Sequence, residues 1–260
     1  MKKMLAIAYL TLSVASGAAA DDFAGKTIKL GIDPTFPPME FKTPDGKFAG
    51  FGVDIAEALC AEIRAKCVWV ESNWDGMIPS LKARKFDAIA SSMSITPKRQ
   101  EQIAFSDPIS NSPSRLLARK GSPLQLTPES LVGKRVGVEQ GSTQETYAKE
   151  KLLPAGVDVV SYQNPDLVNA DLVGGRLDAA FVSQLSASEG FLKQPSGKDF
   201  AFVGKSISDQ EYFGVGDGIG LRKDDVALRD AFNKALATIV ADGTFSKIND
   251  KYFDFDIRSK

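Results

Sequence analysis

The chain has 260 residues, with 32 lysines and arginines against 33 aspartates and glutamates, two cysteines and no histidine. Without histidine there is no serine–histidine or cysteine–histidine nucleophile pair, and the commonest general base and metal ligand is missing. A near-neutral balance with no basic run excludes a nucleic-acid footprint, and 43% apolar residues suffice for one large domain or two lobes.

Residues 1–20 open with Lys2 and Lys3, continue as an apolar run from 4 to 15 broken by Thr11 and Ser13, and close on Ala18, Ala19 and Ala20 before Asp21. This is the pattern of a cleaved secretory signal peptide, too short to cross a bilayer core comfortably. Cleavage leaves 30 bases against 33 acids and no second membrane-length apolar run, so the mature protein is expected to be soluble and to work outside the cytoplasm.

Residues 27–32 alternate and are rich in β-branched side chains, which predicts a strand. Pro34, Pro37 and Pro38 make 33–38 a rigid loop, and Pro44-Asp45-Gly46-Lys47 is a turn. Val53, Ile55, Ala56, Leu59, Cys60 and Ile63 stand at helical spacing and predict a helix over 51–63. A strand over 67–71, a helix over 75–85 and a strand over 86–90 follow. The pattern resumes with strands over 135–139, 157–162 and 177–182, alternating with helices over 143–153 and 166–174. A long helix over 226–241 stops at Asp242-Gly243, and a shorter one covers 244–252. This alternation predicts an α/β fold with mostly parallel sheets.

Residues 80–88 are echoed at 171–179, each ending a helix and opening a strand on Asp-Ala. Two similarly wound lobes would give this echo, as would the common chemistry of helix-to-strand turns. Gly214, Gly216, Gly218 and Gly220 lack the spacing of the dinucleotide fingerprint and read as a flexible crossover or hinge. No cofactor motif is present. Cys60 and Cys67, an isolated pair in an oxidising compartment with no imidazole to complete a metal site, read as a disulfide contributing about 2–3 kcal/mol.

Two segments look built for a charged small molecule. Ser91, Ser92 and Ser94 follow a predicted strand, where open α/β sheets place ligands. Thr96 is a candidate helix cap and Pro97 a favoured first helical residue, so Arg99 falls in the first turn. There it either forks onto a carboxylate or stands solvated beside a capped helix. Gln140-Gly141-Ser142-Thr143-Gln144 lies between a strand and a helix, as an anion-friendly helix start or an ordinary loop capped by Ser142. Phe36 and Trp74 either sandwich a flat or cationic group or belong to the core. Asp33 either meets a ligand cation or caps a turn.

Gly50-Phe51-Gly52-Val53-Asp54-Ile55, residues 74–81, residues 91–99, Ala104-Phe105-Ser106-Asp107, Gly141-Ser142-Thr143-Gln144 and residues 188–195 occur in order at matching spacing. In these motifs the chain resembles the periplasmic lysine/arginine/ornithine- and histidine-binding proteins of polar amino-acid ABC importers, over residues 26–256. The resemblance implies the two-lobed type II periplasmic binding protein fold. One lobe would hold 21–110 and 214–260 and the other 114–207, with 111–113 and 208–213 as a two-strand hinge. It implies a monomer that closes on one amino acid and docks on an inner-membrane ABC permease, and it matches the Cys60–Cys67 disulfide. Arg99 would bind the α-carboxylate, helped by Thr143 and by backbone near Ser92 and Gln144, with Ser91 and Ser94 lining the site. Phe36 and Trp74 would sandwich the aliphatic side chain, and Asp33 would meet its distal cation.

Three departures bear on the ligand. Phe36 replaces the family tyrosine, Glu139 replaces a leucine-like residue, and Ser183 replaces the aspartate that receives the α-ammonium. A substituted amine, as in the arginine-derived opines octopine and nopaline, would suit Ser183. Alternatively Glu139 restores the lost charge. An enzyme on the same scaffold, of the cyclohexadienyl dehydratase kind, would need a general acid, for which Glu139 is the one candidate. A non-catalytic receptor, for transport or for sensing, is the expected class.

Overall fold

The computed structural model describes residues 23–258. The signal-peptide reading of residues 1–20 lies outside the described residues. Two five-stranded sheets dominate. The first runs in the order Lys66–Glu71, Thr27–Ile32, Ala88–Ser94, Asp217–Leu221 and Ala104–Phe105; the second runs Asp158–Tyr162, Arg135–Glu139, Ala179–Ser183, Ser114–Arg119 and Phe200–Ile207. In both, the first three strands are parallel and the fourth is antiparallel to its two neighbours. The same pattern of strand directions thus occurs twice, and the echo between 80–88 and 171–179 falls at equivalent places, each leading into the third strand of its sheet.

Alternation along the strands sends side chains to opposite faces, and helices cover both. In the first sheet, Leu30, Ala88, Ala90 and Leu221 pack on one side with Phe51, Ile55, Leu59 and Phe232. Ile89 and Met93 pack on the other side with Met77, Leu81 and Phe86. In the second sheet, Val136, Val138, Ala179 and Phe181 share one cluster, while Leu117 and Ala180 join Val168 and Leu172 in another. Cys60 and Cys67 form the disulfide, with Cα atoms 6.1 Å apart, tying the end of helix Phe51–Glu62 to the strand beside it. No helix among the described residues is long and apolar enough to cross a membrane.

Beyond a small sheet of Thr35–Phe36, Glu40–Lys42 and Phe48–Ala49, whose first strand lies in the loop read at 33–38, the structure departs from the sequence reading at five places. Helix 75–85 is a 3-10 turn, Trp74–Gly76, and a short helix, Met77–Lys82. It stops because Arg84 turns left-handed (φ 58°) and the Lys85 N–H returns to the Ser80 carbonyl, closing the helix end. Strand 86–90 lies at Ala88–Ser94, so the three serines belong to the strand instead of following it. Helix 143–153 breaks after Tyr147 into a wider turn, Ala148–Leu152, and a 3-10 turn, Leu153–Ala155. Strands Ser114–Arg119 and Phe200–Ile207 carried no sequence signal.

The fifth departure concerns the glycine run, which is no flexible crossover. Asp217–Leu221 is an inner strand of the first sheet, with Gly218 and Gly220 buried. A Cβ on Gly218 would lie 3.0 Å from Ile95 Cδ1, and one on Gly220 3.1 Å from Ile103 Cδ1. The glycines let neighbouring side chains press against the strand.

Candidate ligand-binding site

Loops and strand ends from both sheets face one cavity, enclosing about 1140 Å³ including its open mouth. Asp33 follows the Thr27–Ile32 strand, Ser94 ends Ala88–Ser94, Glu139 ends Arg135–Glu139 and Ser183 ends Ala179–Ser183. Asp33, Phe36, Trp74, Ser91, Ser92, Ser94 and Arg99 line it from the first sheet's side; Glu139, Thr143, Gln144 and Ser183 line it from the second's.

Thr96 caps the four-residue helix Pro97–Gln100, its hydroxyl accepting the Arg99 N–H, with Pro97 at the first helical position. The Arg99 side chain is not a solvated one. The residue is 9% exposed, and its Nη1 donates to the Ser94 carbonyl at 3.0 Å and its Nη2 to the Gly141 carbonyl at 3.2 Å. Its guanidinium lies 5.3 Å from the Trp74 ring centroid. Burial pulls its pKa down to about 10, against the opposing fields of Asp217 and Glu139, and it stays cationic at neutral pH. The two carbonyl bonds engage two of five N–H donors, leaving a fork for a carboxylate.

The Gly141 carbonyl is held toward Arg99 from behind. Ser142 caps helix Thr143–Tyr147 by accepting the Glu145 N–H at 2.9 Å, and the Glu145 carboxylate accepts the Gly141 N–H at 2.7 Å. That amide is therefore satisfied within the loop. Gly141 itself (φ 77°) is required by the opposite wall, because a Cβ there would lie 3.2 Å from Asp75 Cα. Gln144 Nε2 donates to Ser114 Oγ at 2.8 Å.

Asp33 caps a turn and also lines the cavity. Its Oδ1 accepts from the Thr35 N–H at 3.1 Å and the Thr35 hydroxyl at 2.7 Å, closing a turn, while its carboxyl lines the cavity. At 6% exposure, burial raises its pKa against those hydrogen bonds. The three serine hydroxyls are all engaged by the protein. Ser91 Oγ accepts the Asp33 N–H, Ser92 Oγ donates to Glu40 at 2.8 Å, and Ser94 Oγ donates to Asp217 at 2.8 Å. Ser92 holds a left-handed backbone, φ 45°.

Glu139 is pushed up to about 8 by burial and by the Asp33 charge, with Arg99 pulling the other way. Ser183 puts no carboxylate in the cavity; its hydroxyl sits 3.0 Å from that of Ser112, which also accepts the Leu185 N–H.

The structure adds residues that the sequence reading passed over. Asp217, in the glycine run, lines the cavity with a pKa raised to about 6 by burial. Glu40, 1% exposed, lies behind Ser92, and burial raises its pKa well above the usual carboxylate range. Asn111, Ser112, Asp166 and Asn169 complete a polar wall. An acid set between Gly216 and Gly218 was the signal available for Asp217.

The family model for bacterial extracellular solute-binding proteins, family 3, matches residues 28–255. The lysine/arginine/ornithine-binding periplasmic protein of Escherichia coli (strain K12) is 54% identical over 259 residues, covering 99% of each chain. The histidine-binding periplasmic protein of the same strain is 51% identical over 257 residues, again covering 99% of each. Among solved structures, an ancestral arginine-binding protein bound to arginine superposes with a TM-score of 0.80 at 35% identity, covering 87% of this chain and 98% of its own.

Proposed function

The chain belongs to the bacterial extracellular solute-binding proteins, family 3, and from that membership we propose that it is the soluble receptor of an ABC importer for a cationic amino acid of the arginine, lysine, ornithine or histidine class. One observation carries this reading. A single cavity is lined by one buried guanidinium, Arg99, and four acidic side chains, Asp33, Glu139, Asp166 and Asp217. Such a cavity suits a molecule with one acid end and an excess of positive charge.

The ligand carboxylate forks onto Arg99, the aliphatic stem lies between Phe36 and Trp74, and the distal cation reaches Asp33 and Glu139. Thr143 and Gln144 close over the acid end. Residues 21–110 with 214–260 form one lobe and 114–207 the other, with 111–113 and 208–213 as hinge. Among the described residues, polar contacts across the cleft include Arg99 to Gly141, Gln140 Nε2 to Asp75 at 3.2 Å, and Lys98 to Glu150 at 3.5 Å. The ligand adds its own bonds to both walls and so shifts the hinge toward the closed form, which a permease in the inner membrane recognises. Export through a cleaved signal peptide places the receptor in the periplasm, the compartment in the names of the E. coli relatives. Those relatives are named for binding, and capture without turnover is the reading for this chain.

Ser183 favours a second ligand, an N-substituted derivative such as an arginine-derived opine. With no carboxylate there, the wall toward Ser112, Asn169 and Ser186 offers room beside the ligand nitrogen.

Glu139 gives the test a signature. Near pH 7 its carboxyl, at about 8, is mostly protonated in the empty protein. A cation beside it draws out the anion, so binding releases close to one proton and tightens as pH rises from about 6 to 8. Calorimetric titration at pH 7 with arginine, lysine, ornithine, histidine and octopine, in phosphate and in Tris, reads both affinity and proton release. The expected outcome is 1:1 binding of at least one solute, at about −8 to −12 kcal/mol, with an enthalpy that differs between buffers in the wild type and not in Glu139→Gln. Silence with every solute would overturn the receptor reading. Equal enthalpies would remove Glu139 from the cation site. In the empty protein, a raised carboxyl costs stability as pH climbs from about 4.5 toward 8. Glu139→Gln therefore raises the melting temperature at pH 9 and barely at pH 5.

A further inference from the structure

We infer that Asp217 receives the α-ammonium of the captured amino acid, taking the role for which Ser183 carries no charge; this rests on the carboxylate grip by Arg99 proposed above. In an α-amino acid the ammonium and the carboxylate hang on the same carbon. Once Arg99 fixes the carboxylate, the ammonium must find its counter-charge beside that guanidinium. Asp217 is there. The antiparallel register sets Asp217 directly opposite Ser94. Ser94 joins the two charged groups, its carbonyl accepting from Arg99 Nη1 at 3.0 Å and its hydroxyl donating to Asp217 Oδ1 at 2.8 Å.

The carboxylate is also held in place. The Asp217 N–H donates to the Ser110 carbonyl at 2.7 Å, and the Ser110 hydroxyl lies 3.5 Å from Oδ2. The residue is half-buried and lines the cavity, so its carboxyl, which has lone pairs beyond those two hydroxyls, can still accept from a ligand. The other acids are placed for different work. Glu139 feels the charge of Asp33 more strongly than that of Arg99, and among the described residues no hydrogen bond through Ser94 ties it to the guanidinium as it ties Asp217. Glu139 and Asp33 together form the distal cation end. Ser183 offers a hydroxyl already paired with Ser112. Placing the ammonium on Asp217 also leaves the Ser183 side of that nitrogen open, where a substituent would fit.

The test compares wild type and Asp217→Asn by calorimetry with two pairs of solutes: L-arginine against 5-guanidinopentanoate, and L-lysine against 6-aminohexanoate. The second member of each pair lacks only the α-amino group. In wild type the amino acid should bind tighter than its partner by about 10²-fold. In Asp217→Asn the amino acid should weaken by about that factor while the des-amino partner is unchanged, so the preference collapses. Ser183→Asp added to Asp217→Asn should restore it to within about tenfold. Asp217→Ser serves as a second variant, with circular dichroism checking the fold of each. Asp217→Asn and Asp217→Ser weakening both members of a pair alike, or neither, would overturn the assignment while leaving the receptor reading intact. A wild type that binds neither arginine nor lysine would overturn the assignment, and the receptor reading falls with it only if ornithine, histidine and octopine are silent too.

Discussion

Arg99→Ala weakens capture of the cationic amino acid by about 10³-fold or more. Removing one partner of a desolvated, forked ion pair costs about 2–5 kcal/mol, and here the substitution also strands Asp217 and Glu139 without their shared cation. Arg99→Lys should recover part of the loss and still bind about tenfold or more below wild type, because a point charge cannot grip both carboxylate oxygens and cannot hold the Ser94 and Gly141 carbonyls together. Calorimetry reads the affinity, and the melting temperature of the empty protein separates ligand contact from fold. If Arg99→Ala keeps its affinity within a few-fold of wild type, the carboxylate lies elsewhere.

The largest expected effect on stability is at Gly214. Its backbone stands at φ 75°, ψ −162°, a region open essentially to glycine alone. A Cβ there would lie 2.1 Å from the Ile95 carbonyl oxygen and 2.6 Å from its carbon. Those are backbone atoms in a strand extension, where Val215 N–H bonds the Ile95 carbonyl and Ile95 N–H bonds the Gly216 carbonyl. Neither side can yield without breaking that pairing. Gly214→Ala should therefore cost about 3 kcal/mol or more, a drop in melting temperature of about 6–12 °C. Because Ile95 leads into the Thr96 cap of the Arg99 helix, ligand affinity should fall with it. Gly243→Ala is the control. Gly243 is also left-handed, at φ 82°, but its Cβ would meet no atom within 4 Å, so it should cost about 1 kcal/mol. Near-equal melting curves for the two variants would show that Ile95 moves aside freely.

What the sequence made legible follows from where information is local. Helices Phe51–Glu62 and Val226–Ala241 were readable because their apolar residues keep helical spacing up to a clear stop. The Thr96, Pro97 and Arg99 arrangement was readable because cap and first-turn chemistry is written in consecutive residues. Strand Ser114–Arg119, Ser-Arg-Leu-Leu-Ala-Arg, has no β-branched residue; its partners Ala179–Ser183 and Phe200–Ile207 lie far along the chain. Asp217–Leu221 looked like a hinge for the same reason, since its strand state comes from the side chains pressed against its glycines.

The site shows the same division. Arg99, Asp33, Phe36 and Trp74 could be named from motifs. What each hydroxyl of the serine run does could not, because Glu40 and Asp217, which take two of them, arrive from 52 and 123 residues away. The left-handed Ser92 and the raised pKa of Glu40 behind it are likewise consequences of packing.

The grip of Arg99 on an acid end is tested most directly by titrating the mature protein with arginine and with agmatine, which keeps the guanidinium and stem and lacks the carboxylate. Arginine should bind one to one, and agmatine about 10³-fold more weakly. Agmatine binding as tightly as arginine would contradict the carboxylate clamp on which the receptor reading stands.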